Sequence, residues 1–212
     1  MAPPFAAFAA TEHRARLDAV RAKLRAAGID IVISVAPEHH FYFGGYDSWT
    51  SAVSPQAMIF ATSGSSEPTL VLRNTDRPLA RESSWIEDIR TYKLHVDDVA
   101  ALYAQVAQEK GLAGSGTVGI ELGSSVLGHP MALAIGRALA PVKIVDANAI
   151  LGAARVVKSP AEMTYMRKAA TYAQAGLEAA RKTAKPGVTE IALTDEIEAA
   201  MRRAGSDYWA IP

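Results

Sequence analysis

The sequence predicts an α/β fold: a mixed sheet of about six strands with helices on both faces, followed by two further helices. Three observations predict it. Helix and strand signals alternate from Leu17 to Ala147; two consecutive strand candidates are joined by a short loop of hairpin composition; and two capped, amphipathic helices end the sequence with no strand between them.

Leu17, Val20 and Leu24 mark one face of a first helix that Gly28 closes, and IDIVISV from Ile29 to Val35 is β-branched nearly throughout, as a buried strand should be. Strands at Gln56–Ala61 and Thr69–Arg73 flank SGSSEP, whose glycine, serines and proline suit a hairpin loop, so this pair is expected to be antiparallel. Further strands are expected at Ile86–Lys93, Thr117–Leu122 and Val142–Ala147, with helices at Asp98–Lys110 and Pro130–Leu139 between them.

The run RVVKSPAEMTYMRKAA, Arg155 to Ala170, opens a separate unit. Ser159 is a good N-cap, Pro160 suits the first helical turn, where an N–H would be unsatisfied anyway, and Glu162 completes a capping box. Met163, Met166, Ala170, Ala173, Leu177 and Ala180 then form one apolar stripe, with Arg167, Lys168, Glu178 and Arg181 off it. This helix should end before Pro186 and Gly187. A second runs from Thr189 to Ala204, with Ile191, Ile197 and Met201 inward, Arg202 and Arg203 in its last turn and Gly205 as terminator. Two exposed stripes favour docking on the preceding domain, pairing between chains, or disorder. The boundary is expected between Leu151 and Ser159, giving domains 11–154 and 155–212.

Composition excludes several function classes. With 22 basic and 22 acidic residues in 212, the net charge is zero, so no global field favours nucleic acid or an anionic membrane. No cysteine is present, which removes disulfides, thiolate metal sites and cysteine nucleophiles and permits a reducing compartment. No apolar run approaches the roughly 20 residues that span a bilayer. The opening MAPPFAAFAA lacks a basic stretch and carries two prolines, so it reads as a disordered cytoplasmic leader rather than an export signal.

The titratable residues make a poor catalytic inventory. Of the five histidines, His39 and His40 are adjacent, so their side chains diverge, and none has a histidine or carboxylate at the spacing of a helical metal site. Structural histidines are the expectation, with His40 or its neighbour near the YFGGYD loop the one to inspect. Asp97 and Asp98 precede a helix and should cap it. Asp195, Glu196 and Glu198 lie on the last helix, with Arg202 in i,i+4 reach of Glu198, as on a solvated face. GLAGSG at 111–116 runs from helix to strand, the reverse of a phosphate-cradling order, and GSS at 123–125 lacks the spacing and lysine of a nucleotide loop.

Functional promise concentrates in Phe41–Gln56, which is polar and aromatic at once and carries two consecutive glycines. Tyr46, Asp47, Trp49 and Thr50 could form a recognition wall. Alternatively, Tyr42, Tyr46 and Trp49 pack the sheet edge against the first helix while Asp47 caps a turn. Arg73, at a strand end, is either a pocket-facing charge or half of a surface ion pair.

Two stretches resemble a known family. RVVKSPAEMTYMRKAA with KPGVTEIALTDEIEAAMRRAG is similar to the start of the catalytic domain in the pita-bread family of Xaa-Pro aminopeptidases, prolidases, creatinase and ectoine hydrolase. PEHHFYFGGYDSWTSAVSPQAMIF resembles a segment of the creatinase-like N-terminal domain, and its Gly45, Tyr46, Asp47, Trp49 cluster leans toward creatinase and ectoine hydrolase. The resemblance spans roughly residues 11 to 205. It implies a creatinase-type N-terminal domain joined to two helices of a pita-bread domain, and a role in a C–N bond hydrolase, or else a stand-alone non-catalytic module of the same fold. It also implies a homodimer, or a missing catalytic domain as partner, with a dipeptide or small molecule as substrate of the intact enzyme only. In the family one subunit's N-terminal domain leans over its partner's catalytic pocket, which makes Tyr46, Asp47 and Trp49, with His40 and Arg73, the substrate-facing candidates. The family's divalent metal pair (Mn, Co or Zn) uses two aspartates, a histidine and two glutamates; these would lie beyond Pro212, so no metal ligand, cofactor or catalytic residue is expected in this chain.

Overall fold

A computed structural model describes residues 3–64 and 66–207. The chain divides between Val157 and Lys158 into two compact units.

The first unit is an α/β layer structure. Its elements are α1 (Ala10–Ala26), β1 (Ile31–Ser34), α2 (Pro37–Gly44), β2 (Ala57–Ala61), β3 (Thr69–Arg73), α3 (Arg77–Ser83), β4 (Ile89–Tyr92), α4 (Val99–Glu109), β5 (Thr117–Ile120), α5 (His129–Leu139), β6 (Lys143–Asp146) and α6 (Asn148–Ala153). The six strands form one sheet in the order β4-β3-β2-β1-β5-β6. β2 runs antiparallel to both β1 and β3, and every other neighbouring pair is parallel. The expected hairpin is therefore present, with Met58 opposite Leu70.

Strand alternation sorts the core into two layers. Ile31 and Ile33 of β1, Ile59 of β2 and Val71 of β3 pack with Tyr103 and Val106 of α4 and with Ile135 and Leu139 of α5. Val32, Met58, Phe60, Leu70 and Leu72 point to the other face, against Leu17, Val20 and Leu24 of α1, Phe43 of α2 and Leu151 of α6. Helices thus cover both faces, and β1 and β2 are buried over their whole length.

Three short helices, α2, α3 and α6, were not foreseen. In α2 the sequence HHFYF lacks strong helix formers, but Pro37 occupies its first turn and Gly45 ends it at φ 76°, a left-handed backbone that glycine adopts freely. Tertiary burial decides the rest: His39, His40, Tyr42 and Phe43 are all buried. Strand β3 has the expected bounds, and the other five strands are shorter than expected, most visibly β4, which begins at Ile89 rather than Ile86.

The second unit is a helical hairpin of α7 (Pro160–Thr183) and α8 (Glu190–Arg203). Ser159 accepts the Glu162 amide while the Glu162 side chain accepts the Ser159 amide, the reciprocal capping box. The two helices pack on each other through Gly176, where a Cβ would lie 2.9 Å from Met201. Met166, Leu177 and Ile191 of the expected stripes stay largely exposed.

Candidate functional site

The strand order creates a place for a site. From β1 the chain turns through α2 to β2 on one side, and from β5 it turns through α5 to β6 on the other. The carboxyl ends of β1 and β5 therefore flank a topological switch point, where open α/β sheets leave a crevice. A cleft of about 540 Å³ opens there, lined among others by Glu38, His39, Glu121, Ser124, Asn148 and Arg155.

Glu121, immediately after β5, is fully buried. One carboxylate oxygen accepts the Ser34 hydroxyl at 2.8 Å and the backbone amides of Val35 at 2.7 Å and Ala36 at 2.9 Å. The other receives His39 Nδ1. Burial pushes the carboxyl up, but the His39 hydrogen bond and charge, with the Ala36 amide and Ser34 hydroxyl, outweigh it and hold the group below the ordinary carboxylate range. The group is thus an anion with its acceptor sites filled. It pins the first turn of α2 to the sheet.

With Nδ1 committed to Glu121, His39 Nε2 faces Arg155, whose guanidinium lies 3.4 Å away and 3.5 Å from Glu38. The Tyr42 hydroxyl donates to the Ala154 carbonyl at 2.8 Å. So α2 holds the chain segment that leaves α6. On the far wall Gly123 lies close to Asn148: a Cβ there would come within 2.4 Å of the side-chain amide nitrogen, which would have to turn aside.

A second, mostly apolar cleft of about 340 Å³ adjoins the first and shares Ala52, Ser125 and Val126 with it. Residues 51–56 line it, the second half of a loop from Tyr46 to Gln56 that carries a 3₁₀ turn at Trp49–Ala52. Two buried groups anchor this loop. Asp76, just after β3, accepts the Tyr46 hydroxyl at 3.2 Å, Gln56 Nε2 at 2.5 Å and the Thr50 hydroxyl, all on Oδ2. The Tyr92 hydroxyl donates to the Pro55 carbonyl. Held this way, Trp49 is 78% and Val53 62% exposed.

The substrate-facing candidates separate into two groups. Asp47 and Trp49 are exposed on the loop, and Arg73 is half-buried at the end of β3. Tyr46 and His40 turn inward. The Tyr46 hydroxyl shares its one proton between Asp76 and Gln56 Oε1, the latter 2.8 Å away, and burial first of all pushes its pKa up to about 12. The His40 ring lies within hydrogen-bond distance of the Ser34 carbonyl, 2.9 Å from Nε2, and burial lowers its pKa. Trp49 does not pack the sheet edge. The cap of the 3₁₀ turn is Ser48, which accepts the Thr50 amide at 3.2 Å, rather than Asp47. Asp98 does cap its helix, accepting the Ala101 amide at 3.0 Å.

Sequence reasoning missed Glu121 and Asp76, whose partners lie on distant segments. For Glu121 a signal existed: a lone acid following the apolar strand TVGI, at the end where open sheets bind ligands.

Residues 16–157 match the creatinase/prolidase N-terminal domain, and residues 164–212 match metallopeptidase family M24. The chain belongs to the creatinase/prolidase family. It is 26% identical to ectoine hydrolase of Halomonas elongata, an alignment covering 97% of this chain and 51% of that protein. Among solved structures it resembles Xaa-Pro dipeptidase from Bacillus anthracis, with a TM-score of 0.74 at 20% identity over 94% of this chain and 50% of that one. It likewise resembles prolidase from Pyrococcus horikoshii, with a TM-score of 0.72 at 17% identity over 91% and 50%. The creatinase/prolidase chain described here thus spans about half the length of the curated relatives it matches. Among the described residues no three of His, Asp and Glu come together as metal ligands, so the metal pair of the family resemblance finds no ligand set in them. No helix among them is long and apolar enough to cross a membrane.

Proposed function

We propose that this chain supplies the substrate-enclosing and dimerisation domain of a C–N bond hydrolase related to Xaa-Pro peptidases, creatinase and ectoine hydrolase. The observation that carries the reading is Trp49, a large apolar side chain in water, on a loop fixed from beneath by Asp76 and Tyr92. Buried at an interface, a tryptophan is typically worth about 2 kcal/mol or more. Asp47 adds an exposed acid on the same loop, and Arg73 is assigned a substrate-facing charge at the end of β3, while Tyr46 and His40 support the loop and α2 from below. In this reading the loop closes over the catalytic pocket of a second subunit, shields the reacting bond from bulk water and helps to select a dipeptide or small amide. Bond cleavage falls to metal ligands that the described residues do not supply, and the protein works in the cytoplasm, where a cysteine-free chain is at no disadvantage.

Light scattering on the wild type and on Trp49→Ala tests this. The substitution is expected to weaken self-association at least tenfold while leaving the melting temperature within a degree or two, because an exposed side chain contributes little to folding. Unchanged association would remove the interface role. The chain alone, given Mn²⁺, should turn over no Xaa-Pro dipeptide, creatine or ectoine, and sustained hydrolysis would overturn the division of labour.

A second reading, a non-catalytic binding module of the same fold, draws on the switch-point cleft, which lies wholly within the first unit. Thermal-shift titration with free amino acids and dipeptides separates the two: saturable stabilisation without turnover favours the module.

A further inference from the structure

We infer that Asp76 is the positioning residue of the Trp49 loop, the group that fixes in advance the shape of the surface this loop presents. The inference deepens the proposed function and rests on the reading that the loop is a contact surface.

The loop from Asp47 to Pro55 belongs to no strand, and its sequence, DSWTSAVSP, has no intrinsic reason to hold one shape. Its hydrogen bonds explain why it does. A single oxygen of Asp76 gathers donors from Tyr46 at the loop's start, Thr50 in its middle and Gln56 at its end. Gln56 relays the anchor, since its own carbonyl oxygen accepts Tyr46 at 2.8 Å and Ser51 at 3.0 Å. Asp76 is 7% and Gln56 2% exposed, so bulk water competes poorly for these bonds. Burying an acid is costly unless its hydrogen bonds are made, and here they are made almost wholly by the loop that displays Trp49 and Val53. A loop already ordered loses less entropy when a partner or substrate settles on it.

Ser51, Val53 and Ser54 amides bond only within the turn, to Ser48 and Thr50. They are therefore local reporters of loop order.

Amide hydrogen exchange on the intact chain decides the matter. In Asp76→Ala the Ser51, Val53 and Ser54 amides should exchange at least tenfold faster than in the wild type, while amides of β1 and β5 keep their rates; Asp76→Asn, which retains an acceptor, should fall between the two. Loop amides at wild-type rates, or acceleration spread evenly through the sheet, would overturn the inference. If Asp76→Ala does not fold, Thr50→Val removes one donor alone and should speed the same three amides severalfold, with no change counting against the anchor. The readout needs no partner and no substrate. An unchanged association of Trp49→Ala beside a loosened loop in Asp76→Ala would thus sink the dimer reading and leave the anchor standing.

Discussion

His39 donates from Nδ1 to Glu121, joining the first turn of α2 to the end of β5 across 82 residues of sequence. Both side chains are buried, and the same carboxylate also accepts from Ser34, Val35 and Ala36, so one acid fixes the β1-to-α2 turn, the helix and the neighbouring strand together. The cleft at the switch point keeps its shape because this junction does.

Removing that acid should be among the most damaging single changes in the first unit. Glu121→Ala leaves a buried histidine and two backbone amides without their acceptor and is expected to cost about 3–5 kcal/mol, and Glu121→Gln about 1–3 kcal/mol. Urea unfolding at neutral pH measures both. A loss under about 1 kcal/mol for the alanine variant would show that water replaces the acid.

Stability should fall as pH drops below about 6.5. Burial lowers the pKa of His13 and His40 from the ordinary histidine value of 6.5, each ring being tied to a backbone carbonyl, Tyr42 at 3.0 Å and Ser34 at 2.9 Å. A depressed histidine contributes stability that is complete above its unfolded pKa, because below that pH the unfolded chain takes up protons which the native chain resists. The depressed Glu121 acts in the same direction below the ordinary glutamate value of 4.5. Unfolding free energies from pH 4 to 8 should therefore rise with pH and level off near 7. A flat profile between pH 5 and 6.5 would contradict the buried neutral rings.

Gly45→Ala should destabilise by about 1–3 kcal/mol. The residue sits at φ 76°, and an added Cβ would lie 3.0 Å from the Ser83 carbonyl oxygen and 3.2 Å from His13 Nε2. Thermal melts give the comparison, with Gly64→Ala as reference, since its φ is also positive but nothing lies within 4 Å.

Ser159→Ala removes one arm of the capping box and is expected to cost α7 about 1 kcal/mol. Hydrogen exchange should show the loss in the first turn of α7 and leave the sheet amides unchanged. Equal acceleration in β1 would mean that the two units unfold as one.

Legibility in the sequence followed the range of the interactions. Local signals were enough for the β-branched strand at Ile31–Ser34, the hairpin at SGSSEP and the cap at Ser159, because each is decided by residues within a few positions. Helix α2 was not legible, since HHFYF becomes helical through burial of four of its side chains rather than through propensity. The anchors of both clefts were out of reach for a related reason. Glu121 meets His39, and Asp76 meets Tyr46 and Thr50, only after the sheet has ordered its strands. Trp49 was legible as a candidate by type, but its exposure depends on those anchors.

The position of β1 in the sheet also carries a consequence for how the molecule assembles. Ile31 pairs on one side with Ala61, reached through α2 and the Trp49 loop, and on the other with Val118, which is synthesised much later. Contacts close in sequence form sooner. The β1-β2-β3 meander should therefore come first, leaving the apolar edge of IVIS unpaired until β5 docks. Such an edge invites pairing with another chain, so the interval before β5 arrives is the stage most exposed to aggregation and to chaperone capture. Pulse-labelled exchange during refolding should find Ile59 protected before Ile120.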